Sequence, residues 1–440
     1  MIPARALISL VAIGLLGLPV TTGAQPSNAP YPIDLPTALK LAGARNLDIQ
    51  IACEQLVDTK ARYSAAVARF FPWIAPGITL RRHDDKLQDV QGNIIDVDKY
   101  SYAPGVSLAA EVNLGDALYT SLAAKQLVKA ADHAVDIQRQ ESVLTAALAY
   151  FDLAFARGSA GVARESVRIN ADYEDQLRQA VDAGIAFKGD ALRVAVQRQR
   201  SELSLRQAAE QQRVHAARLA QLLHLDPAVE LLAEETDLAP LTLIETNSAL
   251  DVIVQRSLAS RPELKQSQAL IVASRDTKNG AAYGPLLPSV GAQAFFGGLG
   301  GGRSGVPDSF GAQEDYLFGL NWRLGPGGLF DFTRTRSAES GLRLAALNHE
   351  KLRDELTRQA VAAFARWQSQ ADQLSTARLA LTAAEEGLSL ARQRKEFAVG
   401  VVLETIQAEQ DLTRARLDYL KTIAELNKAQ YELLRIMGRL

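Results

Sequence analysis

The stretch LETIQAEQDLTRARLDYLKTIAELNKAQYELL, residues 403–434, decides the fold. Within it Leu403, Ile406, Gln410, Thr413, Leu417, Leu420, Ala424, Asn427, Tyr431 and Leu434 step by alternating three and four residues. That spacing is a heptad seam, so the segment reads as a helix lying along another helix. Leu374, Ala377, Leu381, Ala384, Leu388 and Ala391 carry the same rhythm in the segment before it. Far upstream, Val128, Ala131 and Val135, then Ala149, Leu153, Ala156, Ala160, Ala163 and Val167, and later Leu177 and Val181, repeat it. Many of these slots hold alanine, which lets helices approach closely and leaves room for a neighbour on each side.

Working outward, proline is absent from Gly105 to Asp226 and from Gly327 to Leu440. Proline breaks helices, so tracts this long without it permit very long ones. Ala117 to Val181 and Asp331 to Phe397 would each run about 100 Å at ~1.5 Å per residue. Asp34 to Phe70, Asp190 to His224, Ser248 to Ala282 and Leu403 to Arg435 would each span roughly half of that. Two short helices stacked end to end therefore match one long helix. The two long tracts are each interrupted once, at Ala183 to Asp190 and at Val399 to Glu404. In both a glycine precedes an acidic residue, the order expected of a helix end followed by a helix start, so both read as turns between antiparallel helices.

The chain repeats itself. Pro72 pairs with Pro288 and Gly184 with Gly400, both 216 residues apart (288−72, 400−184). Asn46-Leu47-Asp48 answers to Arg261-Pro262-Glu263. The organisation expected is a leader over residues 1–24, a first repeat over 25–225, an acidic linker over 226–247 and a second repeat over 248–440. The leader has Arg5, the apolar run Ala6 to Val20 and small residues at Thr22-Gly23-Ala24, the pattern of a cleaved secretory signal.

Each repeat also holds two segments that alternate with period two. Tyr100, Tyr102, Pro104, Val106, Leu108, Ala110, Val112 and Leu114 share one face, and Tyr316, Phe318, Leu320, Trp322 and Leu324 share another. Their partners are Ile74 to Arg82 and Val290 to Phe296, joined by loops over His83 to Lys99 and Gly297 to Gln313. These lengths suit membrane strands, with Leu320 and Trp322 facing lipid. Past residue 25 no apolar stretch can cross a bilayer as a helix, so a membrane part has to be made of strands. Four strands cannot close a barrel, and open edges are not tolerated in lipid; three chains would supply twelve strands.

Chemistry is not written in the sequence. Charged residues make up 22% with a formal net charge of −2, no basis for holding nucleic acid. Gly300 to Gly305 fits G-x-G-x-x-G but lacks the strand-turn-helix setting and reads as a hairpin loop. The five histidines have no metal-ligand spacing, and Cys53, the single cysteine, reads as a small buried side chain. Asp172, Glu174 and Asp175 beside Arg168 and Arg178 read as solvated ion pairs. Ser260-x-x-Glu263 reads as a capping box that restarts a helix. No catalytic constellation, cofactor or metal is expected.

The duplicated helix-proline-strand entry (Phe71-Pro72-Trp73-Ile74 and Leu287-Pro288-Ser289-Val290), the helix starts at Asn46 and at Arg261-Pro262-Glu263-Leu264, and the paired tip glycines Gly184 and Gly400 resemble the TolC-like outer-membrane efflux family. The resemblance implies a mainly α protein with a small membrane β part. Long antiparallel coiled-coil helices form an α-barrel continuous with a β-barrel that is completed by trimerisation. An equatorial domain girdles the tunnel and would use Gln25 to Pro36 and the linker. It implies a passive export duct, not an enzyme, for small molecules or polypeptides. Its partners would be outer-membrane lipid, a periplasmic adaptor and an inner-membrane pump. It also places a gate at the helix turns, over Gly184, Asp190, Phe397, Gly400, Glu404 and Gln407. Where family members carry a tyrosine and an arginine around the second glycine, this chain has Phe397 and Val402. The competing expectation is an elongated soluble coiled-coil scaffold of the periplasm without a pore, which accounts for the heptads but not for the alternating strands.

Overall fold

The structure is a computed structural model and describes residues 31–226, 229–233, 238–245, 249–303, 307–396 and 401–440. The expected leader and part of the linker (227–228, 234–237 and 246–247) lie outside the described residues. The elements in chain order are β1 (Tyr31–Ile33), α1 (Leu35–Arg45), α2 (Leu47–Ala68), β2 (Trp73–His83), β3 (Lys86–Gln88), β4 (Ile94–Asp96), β5 (Lys99–Asn113), α3 (Leu114–Asp182) and α4 (Lys188–Leu222). They continue with β6 (Leu231–Ala233), α5 (Leu250–Ser260), α6 (Pro262–Tyr283), β7 (Ser289–Arg303), β8 (Ser309–Asn321), α7 (Phe332–Glu396) and α8 (Val402–Ile436).

The two proline-free tracts give helices of 69 and 65 residues, α3 and α7. Each folds back into a helix of 35 residues, α4 and α8, whose starts and ends are both displaced by 214 (402−188, 436−222). The segment Asp34 to Phe70 is not one helix but two. Asn46 stops α1 and opens α2: its side-chain oxygen accepts the Asp48 N–H at 2.7 Å, while the Leu47 N–H donates to His224 Nε2 at 2.9 Å. Ser248 to Ala282 divides at Arg261 in the same way. The expected capping box is not formed there. Ser260 is the last residue of α5, so its hydroxyl bonds back to the Arg256 carbonyl and across to that of Met437, both at 2.8 Å. Glu263 instead pairs with Arg261 at 2.7 Å.

Side by side, the helices run in the order α2 and α4, then α3, then α6 and α8, then α7. The core sits where the stacked helices meet. Tyr150, Phe151 and Leu153 of α3 are packed there against Leu219 and Leu223, Ile33 of β1, Leu231 of β6 and Ile423 and Tyr431 of α8. Burying a side chain of this size contributes about 1.5–3 kcal/mol, so this band anchors both repeats. β1 and β6 pair in parallel, Tyr31 with Leu231, tying the start of the described chain to the linker. Asn427 and Gln430, both buried in α8, hold the linker onward. Asn427 accepts the Leu241 N–H at 2.8 Å and donates to the Ala239 carbonyl at 2.9 Å. Gln430 treats Leu243 and Leu241 likewise. These buried amides act as a strand edge for a segment with no strand beside it. Cys53 is half-buried on α2, more open than expected.

The remaining strands form one antiparallel sheet in the order β2-β5-β7-β8. The loop expected over Gly297 to Gln313 is mostly strand: β7 and β8 stay paired as far as Gly301 with Ser309. A glycine run pairs poorly by itself, but neighbouring aromatic rings take the space the missing side chains leave. Phe295 covers Gly105 and Gly297, Phe310 covers Gly298, and Tyr102 covers Gly300. The first hairpin ends in a small extra ribbon, β3 with β4.

Candidate membrane face and periplasmic gate

Paired residues of a sheet point to the same side. Ile74 pairs with Leu108, Leu108 with Ala294 and Ala294 with Tyr316. Pro76, Val106, Phe296 and Glu314 form the next row, and Ala110, Ala292 and Phe318 the row on the other side. Most apolar positions of the four strands thus fall on one face, with Arg82 and Glu314 as charged exceptions, while Trp73, Phe295 and Leu317 fall on the other. The first face also carries the Phe296–Tyr316 and Tyr102–Phe310 ring contacts. The opposite face has Thr79, Arg81, Ser101, Ser107, Glu111, Gln293, Asp315 and Asn321. A slip of one residue between any two strands would destroy this sorting. Leu320 lies on the apolar face in a row with Val290 and Val112. Trp322 lies just beyond the end of β8 and donates its indole N–H to the Leu286 carbonyl at 3.2 Å. Both outer strands, β2 and β8, leave one edge unpaired. Among the described residues no helix is long and apolar enough to cross a membrane.

At the far end of the long helices, Gly184 has a φ of +73°. Its N–H donates to the Val181 carbonyl at 2.9 Å and the Ile185 N–H to that of Ala180 at 2.8 Å, the two bonds of a Schellman ending. Ile185 and Phe187 are left over 80% exposed at 82% and 83%. Asp190, in the first turn of α4, pairs with Arg193 at 3.3 Å. Glu404, in the first turn of α8, reaches back to Arg394 of α7 at 2.7 Å, and Gln407 is exposed one turn on. Neither acid caps its helix through its side chain. Phe397 and Gly400 lie outside the described residues. Among the described residues there is no group of side chains able to hold a metal ion.

Residues 253–439 match the family model described as outer membrane efflux protein. The second repeat is thus similar in sequence to outer membrane efflux proteins. No curated protein sequence matches the chain. Solved structures do: a membrane protein from Pseudomonas aeruginosa at 18% identity and TM-score 0.79, covering 92% of this chain and 93% of that one. The outer-membrane channel OprN matches at 19% and 0.75, covering 92% and 90%, and the outer membrane protein VceC of Vibrio cholerae at 14% and 0.75, covering 92% and 96%. The resemblance drawn from the duplicated motifs therefore holds, by sequence over the second repeat and by fold over nearly the whole described chain.

Between the Gly184 turn and the core, the helices contain a buried polar cluster that heptad reading misses. Glu409 of α8 is 4% exposed. It accepts from Ser166 at 2.9 Å and from the Asn170 amide at 2.8 Å, both on α3, and Ser201 of α4 closes the group at 3.1 Å from Ser166. Gln410 and Gln197 bond at 2.7 Å beside it. Burial pushes the Glu409 carboxyl above its ordinary range, with the Ser166 and Asn170 hydrogen bonds pulling the other way. The folded form thus holds this proton more tightly than the unfolded one. The stability it contributes is complete below the ordinary value of 4.5 and is lost as pH rises from there through the raised value. Glu409→Gln should remove that decline and melt higher than wild type at neutral pH; parallel melting curves for the two proteins from pH 4 to 8 would contradict it. Glu174, expected to be solvated, is also buried: it ties α3 to α4 by holding Arg178 at 2.5 Å and Arg198 at 3.3 Å.

Proposed function

We propose that three copies of this chain close into an outer-membrane channel continuous with a periplasmic tunnel, the passive exit duct of a tripartite efflux system. The observation that carries this is the sheet: one mainly apolar face, two open edges, and helices of 69 and 65 residues leaving its base. In lipid an open edge leaves backbone groups unbonded, so β8 of one copy has to meet β2 of the next. The helices favour the same closure. Exposed Leu344, Leu347, Val361, Leu379 and Leu390 of α7 lie close to whole helical turns apart. So do exposed Leu192, Val196, Leu203 and Val214 of α4, at the opposite end of the helix order. Two such flanks, meeting head to tail, close a ring. A soluble scaffold would have no use for an apolar sheet face.

Transport through this duct needs no chemistry of its own. The exposed apolar Ile185 and Phe187 at the tip suit docking by a periplasmic adaptor, which an inner-membrane pump would engage; the cargo is small molecules or polypeptides. Gly184, Asp190, Phe397, Gly400, Glu404 and Gln407 form the gate region. Three copies of Glu404 with Asp190 place carboxylates round a narrow mouth, which focuses their field. Arg394 and Arg193 offset part of that charge within each chain. Reconstituted in planar bilayers, the protein should form conducting pores with weak cation selectivity and block by trivalent cations from the periplasmic side. Glu404→Gln should weaken both, and Arg394→Ala should strengthen them. Equal selectivity in all three proteins would leave Glu404 a hairpin tie and remove it from the gate.

A further inference from the structure

We infer that the crease between α5, α6 and α7 binds an oxyanion, a phosphate or carboxylate group, at the open amino end of α6. The crease encloses about 500 Å³ and is walled by Leu258, Ala259, Arg261, Leu264, Lys265, Gln268, His349 and Arg353. Four of these can carry positive charge and none is acidic.

Three independent features converge on an anion. The first is Arg261, only 2% exposed. Its Nε and Nη2 are held by Glu263 at 2.9 and 2.7 Å, but Nη1 is buried with no partner. Leaving a buried donor unbonded is costly, the more so on a charged group, so the site lacks an acceptor. Burial lowers the guanidinium's pKa, Glu263 opposes that, and Arg435 adds to it. The second is the helix start. α6 begins at Pro262 with no side-chain cap, and its first turn includes Leu264 and Lys265 of the crease. Helix amino ends with free N–H groups favour anions. The first repeat closes the matching place with its own groups, Asn46 and His224. In the second repeat proline and arginine stand there instead. The third is Lys265 and Arg353, which form no ion pair among the described residues although they line the same crease. Glu263 is already committed to Arg261 and Arg435 and is not part of the wall.

The occupant's apolar remainder would rest on Leu258, Ala259 and Leu264. His349 lies 17 residues along α7 from Phe332 (349−332), roughly 26 Å from the strand layer at ~1.5 Å per residue. With the orientation proposed above, that depth excludes a lipid headgroup and leaves a soluble periplasmic anion.

The test is calorimetric titration of the full-length, detergent-solubilised protein with inorganic phosphate, and separately with acetate, against chloride at matched ionic strength. Saturable binding of one anion per chain is expected. Phosphate alone saturating assigns a tetrahedral group, acetate alone a carboxylate. The double variant Lys265→Ala, Arg353→Ala, and Arg353→Ala by itself, should weaken binding at least tenfold and about threefold respectively, with melting in chloride unchanged since both side chains are exposed. Saturation by neither anion, or equal binding by wild type and both variants, would overturn the assignment.

Discussion

Phe318→Arg is expected to abolish assembly into the outer membrane, while Leu317→Arg, one residue earlier in the same strand, leaves it nearly intact. In the single chain the two side chains are equally exposed, 69% each, so burial cannot separate them. Only the face does. Phe318 shares a row with Ala292 and Ala110 on the apolar side, whereas Leu317 pairs with Gln293 on the polar side. An arginine facing lipid costs about 2–4 kcal/mol near the bilayer midplane and ~0–1 kcal/mol near its boundaries. Three copies per channel multiply the cost. Leu320→Arg should do less harm than Phe318→Arg, because Leu320 is the second-last residue of β8 and lies toward the membrane boundary. Asn321→Arg, on the polar face, should be tolerated. Surface-exposed trimer per cell, measured after membrane fractionation, checks the series. Damage from Leu317→Arg with tolerance of Phe318→Arg would place lipid on the other face.

Gly115→Ala should destabilise the chain by several degrees of melting temperature, and Gly161→Ala, in the same helix, should stabilise it slightly. A Cβ on Gly115 would meet the Gly284 carbonyl carbon and Cα at 2.5 Å, backbone atoms that cannot turn aside. This is where α3 crosses the end of α6, the joint between the helices and the sheet, and Arg334 clasps Asp116 beside it at 2.6 Å. Overpacking such a contact costs about 1–3 kcal/mol, or separates the helices. Gly161 has nothing within 4 Å of its Cβ position, so alanine there adds only helix propensity, about 0.5–1 kcal/mol. Thermal unfolding of both variants decides it; equal shifts would mean that the close approach is not required.

Much of this fold was legible because helix length and heptad spacing are repetitive signals. The break at Asn46 was legible too, as a helix start matched by Arg261. What sequence spacing could not supply was pairing across distance. The glycine run after Phe296 reads as loop until Tyr102 and Phe310, distant in sequence, are seen lying over it. Ser260 looked like a cap because of its distance to Glu263, but a hydroxyl in the last turn of a helix finds its own carbonyl first. Glu409 falls between the seam residues Ile406 and Gln410, and an acid in that place reads as solvated; only Ser166 and Asn170, some 240 residues earlier, make its burial tolerable. Of the proposed gate region, the turn at Gly184 and the acids Asp190 and Glu404 could be named from sequence, whereas the arginines that pair with them could not, since Arg394 and Glu404 meet only when the hairpin closes.

The central claim is that the open edges of one four-stranded sheet are closed by other copies of the same chain. The mass of the detergent-solubilised protein, measured by light scattering with the detergent contribution subtracted, tests it most directly. Three chains per particle is the predicted result, and a stable particle of one or two chains would contradict it.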